Sequence, residues 1–197
     1  MEDFTTYDEV DPENCLTVIS NRITVADMPT AQPSYVRDDK GAGSIGDFEH
    51  QFTLYFTGTP LWAARLIHWR IEGVALVGST YTSAPWLCEI TLSNDSIPVE
   101  TDWYTCDLGL YYITVSREGT SLQCKIYSDA GRTNLLDTLS LASDDTVLGR
   151  YVYGMGLPIG EGSSKVGSYT ENLDIINGEA DGGAGGGGFL LTGGATF

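Results

Sequence analysis

The sequence contains few basic residues. Its 197 residues include 10 lysines and arginines against 27 aspartates and glutamates, which gives a formal net charge of -17 at pH 7. A surface of this sign repels phosphate backbones and anionic lipid headgroups. The composition therefore predicts neither a nucleic-acid partner nor a membrane partner.

Long apolar runs are also missing. The nearest candidate, residues 66–77, is interrupted by His68, Arg70 and Glu72, whereas a bilayer-crossing helix needs roughly 20 apolar residues. The N-terminal stretch MEDFTTYDEVDPENC has neither the basic start nor the apolar segment of a secretory signal. We therefore expect a protein without a signal peptide that is soluble when made.

Reactive side chains are scarce. His50 and His68 are the two histidines, and neither lies in a GxSxG, HExxH or Cys/His pattern. No two cysteines have CxxC spacing, so zinc is not expected. Because two of the cysteines alternate with apolar strand residues, we predict buried free thiols, with one or more disulfides as the alternative. The cysteines are Cys15, Cys88, Cys106 and Cys124.

One short acidic run matches the spacing of a catalytic motif. Glu9, Asp11 and Glu13 have the ExDxE spacing of jelly-roll glucanases, in which carboxylates on one strand face flank the glycosidic bond. Pro12 lies inside the run and cannot donate a hydrogen bond to a neighbouring strand. We therefore interpret the run as an acidic turn and expect a protein that is not an enzyme.

The hydrophobic pattern has the period of β-strands throughout. Residues 111–141 are the clearest case, because Ile113 and Val115 alternate with polar residues, and the next run does the same after a turn containing Gly119. Short strands separated by Gly, Pro, Asn and Asp predict an all-β, antiparallel two-sheet sandwich or jelly roll. The candidate strands are 4–10, 15–25, 48–57, 62–77, 86–93, 111–117, 122–129, 135–141, 150–155 and 167–176.

Two stretches are predicted to be long connections, 28–47 and 94–107.

The composition of the chain changes at residue 178. From there the chain is dominated by glycine, which makes a flexible tether. We therefore divide the chain into a sandwich domain, 1–177, and a Gly-rich C-terminal arm, 178–197. The arm carries four apolar residues that we expect to bind a partner chain: Phe189, Leu190, Leu191 and Phe197.

Several segments resemble concanavalin A-like, laminin G-like jelly-roll domains of the phage and metagenomic type. They are DFTTYDEVDPEN, DDKGAGSIGDFEHQFTLYF, the 111–141 stretch, and RYVYGMG with GSYTENLDI. The resemblance implies a two-sheet jelly-roll sandwich in which FTTYDEV and SYTENLDI form neighbouring strands. It says little about activity, because the superfamily includes lectins, glucanases, adhesion modules and viral structural proteins.

Exposed aromatic residues are the candidate glycan site. Trp62 follows Pro60 at the start of a candidate strand, and Trp103 and Tyr104 lie in a predicted connection; at such positions flat rings can stack on sugars, with packing in the core as the competing interpretation. We expect no cofactor. Calcium is left open, since oxygen ligands are available at Asp38-Asp39, at Asp144-Asp145, and at Glu171 with Asp174.

The sequence thus leaves three hypotheses. The first is a noncatalytic phage virion component, a capsid decoration, cement or fibre-associated module that is made in the host cytoplasm. Its partners would be further copies of the chain, the major capsid protein, or both, held partly by the arm. The alternative is a lectin-like module that binds surface glycans, and the second alternative is a jelly-roll glucanase.

Overall fold

The computed structural model describes residues 1–25, 31–56, 64–81, 88–94, 100–144, 146–157 and 167–177. Within these residues the chain forms a short 3-10 helix, Phe4–Thr6, and β-strands numbered β1 to β14. The strands are β1 Asp8–Val10, β2 Leu16–Ile19, β3 Arg22–Val25, β4 Ser34–Asp39, β5 Phe48–Phe56, β6 Ala64–Ile71, β7 Ala75–Tyr81, β8 Cys88–Ser93, β9 Thr101–Cys106, β10 Leu110–Glu118, β11 Ser121–Tyr127, β12 Leu135–Ala142, β13 Tyr151–Leu157 and β14 Ser168–Asn177.

The strands form two seven-stranded sheets. Sheet A has the order β1-β4-β13-β6-β7-β8-β9, and sheet B has the order β12-β11-β10-β5-β14-β3-β2. Every neighbouring pair is antiparallel. The predicted all-β architecture, an antiparallel two-sheet sandwich, is confirmed.

The meander at 111–141 has the predicted register. β10 pairs with β11 and β11 pairs with β12, with Val115 opposite Cys124. The turn between β10 and β11 places Gly119 at φ 54, a left-handed conformation that favours glycine. Slipping the register by one residue would expose the whole apolar set, which explains why the sequence pattern is so clear. The inward residues, each 0% exposed, are Ile113, Val115, Leu122, Cys124 and Ile126.

Trp69 lies at the centre of the core between the sheets. Its ring stacks on Phe52 at a centroid distance of 6.2 Å, and its indole N–H donates to Nδ1 of His50 at 3.0 Å. The hydrogen bond matters because a buried N–H without a partner would cost about 1–3 kcal/mol. Apolar packing and a satisfied polar group therefore fix the same side chain.

Three predicted strands differ from the structure in their bounds. The segment 4–10 begins with the 3-10 helix, in which the Asp3 carboxylate accepts from the Thr5 N–H, and only its last residues form β1. The segments 15–25 and 62–77 each contain a hairpin: a turn separates β2 from β3, and another separates β6 from β7. Gly73, at φ 78, lies in the second turn. The hydrophobic alternation continues through both turns, so the sequence pattern did not reveal either hairpin.

Two predicted connections contain strands. β4 lies within 28–47 and β9 lies within 94–107. The predicted pairing of the two terminal segments is also wrong, because β1 belongs to sheet A and β14 to sheet B. The N-terminus nevertheless contacts β14: the Glu2 N–H donates to the Leu173 carbonyl at 2.6 Å, and the α-amino group of Met1 lies 2.8 Å from Asp174.

Candidate functional site

The candidate site lies on the outer face of sheet A. On β4, Val36 points into the core and is 0% exposed, which directs Tyr35 and Arg37 outward on either side of it. On β13, Val152 is buried in the same way between Tyr151 and Tyr153. The alternation therefore places tyrosines and an arginine side by side on the face that does not contact sheet B.

One row of residues crosses this face from β4 to β9. It has an aromatic residue at each end and two glycines between them. Because the row covers five strand-to-strand steps of about 4.8 Å each, it spans about 24 Å. In order across the sheet the row is Tyr35, Gly156, Ile67, Gly78, Thr91 and Trp103.

The two glycines have different reasons to be there. A Cβ on Gly78 would lie 2.9 Å from the carbonyl oxygen of Leu66, so the backbone beside the irregular β6–β7 pairing leaves no room for a side chain. A Cβ on Gly156 would meet Ile67 and Tyr35 at 3.8 Å, an ordinary contact distance. Packing therefore requires glycine at the first position, whereas at the second position glycine leaves a cavity open.

Two neighbouring cavities lie along the row and share Ile67. The smaller, about 120 Å³, is bounded by Ser34, Tyr35, Arg70, Tyr153 and Gly156 among others. The larger has a volume of about 460 Å³, within the usual range for small-molecule sites. The walls of the larger cavity include Arg65, Gly78, Thr80, Glu89, Thr91 and Trp103.

Arginine and tyrosine side chains alternate beside the smaller cavity. The Arg37 guanidinium carbon lies 5.5 Å from the ring centroid of Tyr35 and 4.8 Å from that of Tyr151. That of Arg70 lies 5.6 Å from the ring of Tyr153. Such contacts are each worth roughly 0.5–1 kcal/mol at partly exposed sites, and they hold the guanidinium groups in place over the sheet.

Arg37 also hydrogen-bonds to the hydroxyl of Tyr153, and this bond is the main reason that the pKa of Arg37 is raised. The guanidinium has only donors, so the phenol oxygen must be the acceptor. Burial raises the pKa of Tyr153, although the Arg37 bond acts in the opposite direction. Tyr153 therefore stays protonated at neutral pH.

The predicted aromatic residues have different positions in the structure. Trp103 lies on the outward side of β9, is 58% exposed and lines the larger cavity. Tyr104, the next residue, points to the opposite side of the strand and packs against the core. Trp62 lies outside the described residues, as do the four apolar residues of the arm, Phe189, Leu190, Leu191 and Phe197.

Two carboxylates of the ExDxE run hold local backbone. Asp11 accepts from the N–H groups of Cys15 and Leu16 at 2.9 and 2.8 Å and from the Ser34 hydroxyl at 2.8 Å. Glu13 accepts from the backbone N–H groups of residues 31 and 32. These bonds support the interpretation of the run as an acidic turn.

Both histidines lie in the core rather than on this face. His68 is 0% exposed, with Nε2 2.8 Å from the Ser79 hydroxyl and Nδ1 3.3 Å from the Thr170 hydroxyl. Burial lowers the pKa of His68 to about 3, so the ring is neutral at physiological pH. Its role is to hydrogen-bond across the interior between β6, β7 and β14.

The candidate calcium ligands are engaged within the chain. Asp38 pairs with Lys40 at 2.6 Å and Asp39 with Arg150 at 2.6 Å. Glu171 pairs with Arg22, Asp174 with the N-terminus, and Asp144 accepts from Thr146; Asp145 lies outside the described residues. Over the described part of the chain, no group of three or more His, Cys, Asp or Glu side chains is placed to hold a metal ion. The described residues also include no helix long and apolar enough to cross a bilayer.

No protein-family model and no curated protein matches this sequence. Solved structures do match. A legume lectin-like domain from Entamoeba histolytica has a TM-score of 0.58 at 12% identity, over 87% of this chain and 89% of that one. An alginate lyase from Alteromonas sp. 272 has a TM-score of 0.59 at 7% identity, over 88% and 94% of the two chains. The fold is a concanavalin A-like jelly-roll sandwich.

A third similar structure comes from a virus. The CBM2 module of the evolved Dit protein of Lactobacillus casei BL23 phage J-1 has a TM-score of 0.50 at 12% identity, over 79% of this chain and 77% of that one. At such identities the likeness is one of fold alone. The site on sheet A of this sandwich has to be judged on its own residues.

Most of this site was missed by sequence reasoning. Tyr35 and Arg37 fall in a segment predicted to be a connection, although the pattern Tyr-Val-Arg, like the Tyr-Val-Tyr at 151–153, has the alternation of a strand with a polar outer face. That alternation was the available signal. Nothing in the linear sequence indicates that the two segments become neighbours.

Proposed function

We propose that this protein is a noncatalytic glycan-binding module whose ligand lies along the outer face of sheet A. The row of residues from Tyr35 to Trp103 carries the proposal, because it has an exposed ring at Trp103, a half-buried ring at Tyr35 and an open floor between them. Flat rings stack on the apolar faces of pyranose units, while hydroxyl and guanidinium groups between them bind sugar hydroxyls. A row of about 24 Å is long enough for an oligosaccharide of several units.

The small number of carboxylates among the described residues of this face favours glycan binding over glycan hydrolysis. Glycoside hydrolysis requires two carboxyl groups on either side of the scissile bond. Among the described residues that line the two cavities, Glu89 is the one carboxylate. Glu9 and Asp11 lie at or after the edge strand β1, and Asp11 is occupied by three donors. Binding without catalysis is the function that this arrangement supports best.

The similar structures agree with this proposal. Two of the three are named a legume lectin-like domain and a CBM2 module. They show that the sandwich is found in proteins whose names denote carbohydrate recognition, and the residues of sheet A supply the particular argument for this chain. The alginate lyase with the same fold is the reason to include an activity assay among the tests.

The proposal can be tested by blocking or truncating the two ends of the row. Gly156→Val fills the smaller cavity and Trp103→Ala removes the ring beside the larger one. Tyr112→Ala, on the outer face of sheet B, is the matched control. We expect the wild-type protein to bind at least one class of oligosaccharide on a glycan array, and each row variant to weaken that binding at least tenfold in calorimetry. Tyr112→Ala should leave it unchanged.

The proposal would be overturned if the protein binds no glycan, or if both row variants bind as tightly as the wild type. Incubation with the bound oligosaccharide, followed by chromatography, tests the absence of catalysis. Cleavage products that disappear in Tyr153→Phe would identify an enzyme instead.

A structural role within a virion is the second candidate, favoured by the likeness to a phage protein module. In this role the arm, 178–197, holds neighbouring copies or a major capsid protein, while sheet A faces outward. Sedimentation of the full chain and of a version ending at residue 177 tests the arm. We expect an oligomer that becomes a monomer on truncation, and equal assembly of the two would remove the arm from the proposal.

A further inference from the structure

The larger cavity lies over a patch of sheet A in which outward side chains form rows from β6 to β9. One row carries charge: Arg65 on β6 lies opposite Thr80 on β7, and Thr80 lies opposite Glu89 on β8. All three residues line the cavity. A cation and an anion therefore stand two strand spacings apart, about 10 Å between backbones, along one side of the cavity.

The rest of the cavity wall is uncharged. The neighbouring row places Gly78 beside Ile67, and Leu76 adds a second aliphatic side chain. Among the described residues that line this cavity, Arg65 and Glu89 are the two that carry charge. The apolar face of a sugar ring fits the uncharged part, and the hydroxyl edge of the same ring then meets the charged row.

Trp103 stands on a strand that is held in place at the far end of this patch. Its strand, β9, is the last strand of sheet A. The preceding residue, Asp102, points to the opposite side of the strand and accepts from the Ser140 N–H of sheet B at 2.9 Å. The edge strand is thereby tied to the second sheet while Trp103 stays 58% exposed. A platform that is fixed before binding loses little conformational freedom when a sugar stacks on it.

The charged row has the hydrogen-bonding groups that recognise hydroxyls. Arg65 is exposed and Glu89 is half-buried, and no ion pair joins these two side chains in the described part of the chain. A guanidinium only donates, an ionised carboxylate only accepts, and a hydroxyl does both. Adjacent sugar hydroxyls can therefore donate to Glu89 and accept from Arg65 at the same time. An acid group in their place meets Glu89 as a second anion, and an amino group meets Arg65 as a second cation.

We infer that the larger cavity binds a neutral pyranose unit, with Glu89 excluding acidic sugars and Arg65 excluding amino sugars. Specificity then comes from repulsion of the wrong ligand as well as from contacts with the right one. The chain has a net charge of -17 and attracts cations from a distance, so the exclusion of an amino sugar requires a local cation. This inference rests on the proposed glycan binding and adds the chemical class of the ligand.

The test compares neutral oligosaccharides with charged counterparts of the same backbone. Methyl-esterified oligogalacturonates are compared with the free acids, cello-oligosaccharides with their C6-oxidised forms, and chitin oligomers with their deacetylated forms, by calorimetry on the full chain. We expect the wild type to bind the neutral member of at least one pair, and to bind it at least tenfold more tightly than the charged member. The first two pairs test the role of Glu89 and the third tests the role of Arg65.

Three variants locate the selectivity. Glu89→Gln keeps an acceptor but removes the charge, so it should reduce the preference over the acidic member to less than threefold. Arg65→Gln should do the same for the amino member. Glu118→Gln, which removes the same charge from an exposed position at the end of β10 in sheet B, is the matched control and should leave both preferences unchanged. Circular dichroism and thermal melting of each variant identify loss of binding that comes from loss of folding.

The outcomes separate this inference from the proposal beneath it. If charged and neutral members bind equally and Trp103→Ala weakens both, the glycan site stands and the selection of a neutral sugar is wrong. A preference that survives Glu89→Gln and Arg65→Gln in folded variants also overturns the inference, as does failure of all three neutral members to bind when the glycan array gives a ligand. If no oligosaccharide binds at all, the proposed function fails and the inference fails with it.

Discussion

His68, one of the two buried histidines of the core, provides a quantitative test of the structure. His68 hydrogen-bonds Ser79 and Thr170 and is 0% exposed, and burial lowers its pKa to about 3. Replacing it in His68→Gln removes the titrating group but keeps a polar side chain of similar reach. At pH 7 we expect this change to reduce the free energy of unfolding by about 1–3 kcal/mol, because the ring's hydrogen bonds are lost or weakened.

The pH dependence follows from the direction of the pKa shift. An unfolded histidine titrates near pH 6.5, whereas His68 in the folded protein stays neutral down to about pH 3. Below pH 6.5 the unfolded chain binds a proton that the folded protein excludes, so the free energy of unfolding falls by about 1.4 kcal/mol per pH unit. The contribution of His68 is fully present above pH 6.5, and about 2 kcal/mol of it is lost at pH 5.

Urea unfolding at pH 7, 6 and 5, followed by tryptophan fluorescence, measures this effect. Carboxylates titrate in both proteins and cancel in the difference, so wild type and His68→Gln should converge by about 2 kcal/mol between pH 7 and pH 5. Thr170→Val removes a hydrogen-bond partner of His68 but keeps the histidine. Its free energy of unfolding should therefore change with pH in parallel with that of the wild type. Parallel curves for wild type and His68→Gln would show that His68 keeps an ordinary pKa, and the reasoning from burial would be refuted.

Two further predictions concern packing. Gly154→Ala would place a Cβ 2.6 Å from Cε1 of Phe4 and 2.7 Å from Cδ1 of Ile23, and should lower the free energy of unfolding by about 1–3 kcal/mol in urea; Gly156→Ala, with its nearest contacts at 3.8 Å, is the control and should stay within about 0.5 kcal/mol. The four cysteines are buried and form no disulfide, and burial raises the pKa of Cys124, so the native protein should react with a thiol reagent at less than a tenth of the rate in urea. Rapid reaction of the native protein would contradict the buried placement.

The fold was predictable wherever apolar and polar residues alternate along a whole strand, so that the apolar residues face the core and the polar residues face solvent. Leu122, Cys124 and Ile126 illustrate this, because each alternates with a polar residue and all three are 0% exposed. Prediction failed where the same period crossed a turn. The alternation of polar and apolar residues in β6 continues through Ile71 and Glu72 into the turn before β7. The turn depends on Gly73 taking φ 78, which a single glycine in a strand pattern does not reveal.

The candidate site was less predictable than the fold for a reason of geometry. Of the predicted glycan residues, Trp103 alone is placed by the structure on the outer face of sheet A, since Trp62 lies outside the described residues and Tyr104 faces the core. The rest of the row depends on strand order. β4 lies beside β13 although more than a hundred residues separate them, and no local pattern carries that information.

The glycines of the row show what a motif search would overlook in a protein of this kind. Gly78 is required by the backbone, since a Cβ there would meet the Leu66 oxygen at 2.9 Å. Gly156 has room for a side chain and lacks one where Arg70 and Tyr153 border a cavity. Packing explains why residue 78 is glycine but does not explain why residue 156 is glycine. We infer that the space left open at Gly156 accommodates a ligand. In a sandwich whose binding face is a sheet, function can thus depend on which outward positions are left small, and that becomes visible only when the strands are set side by side.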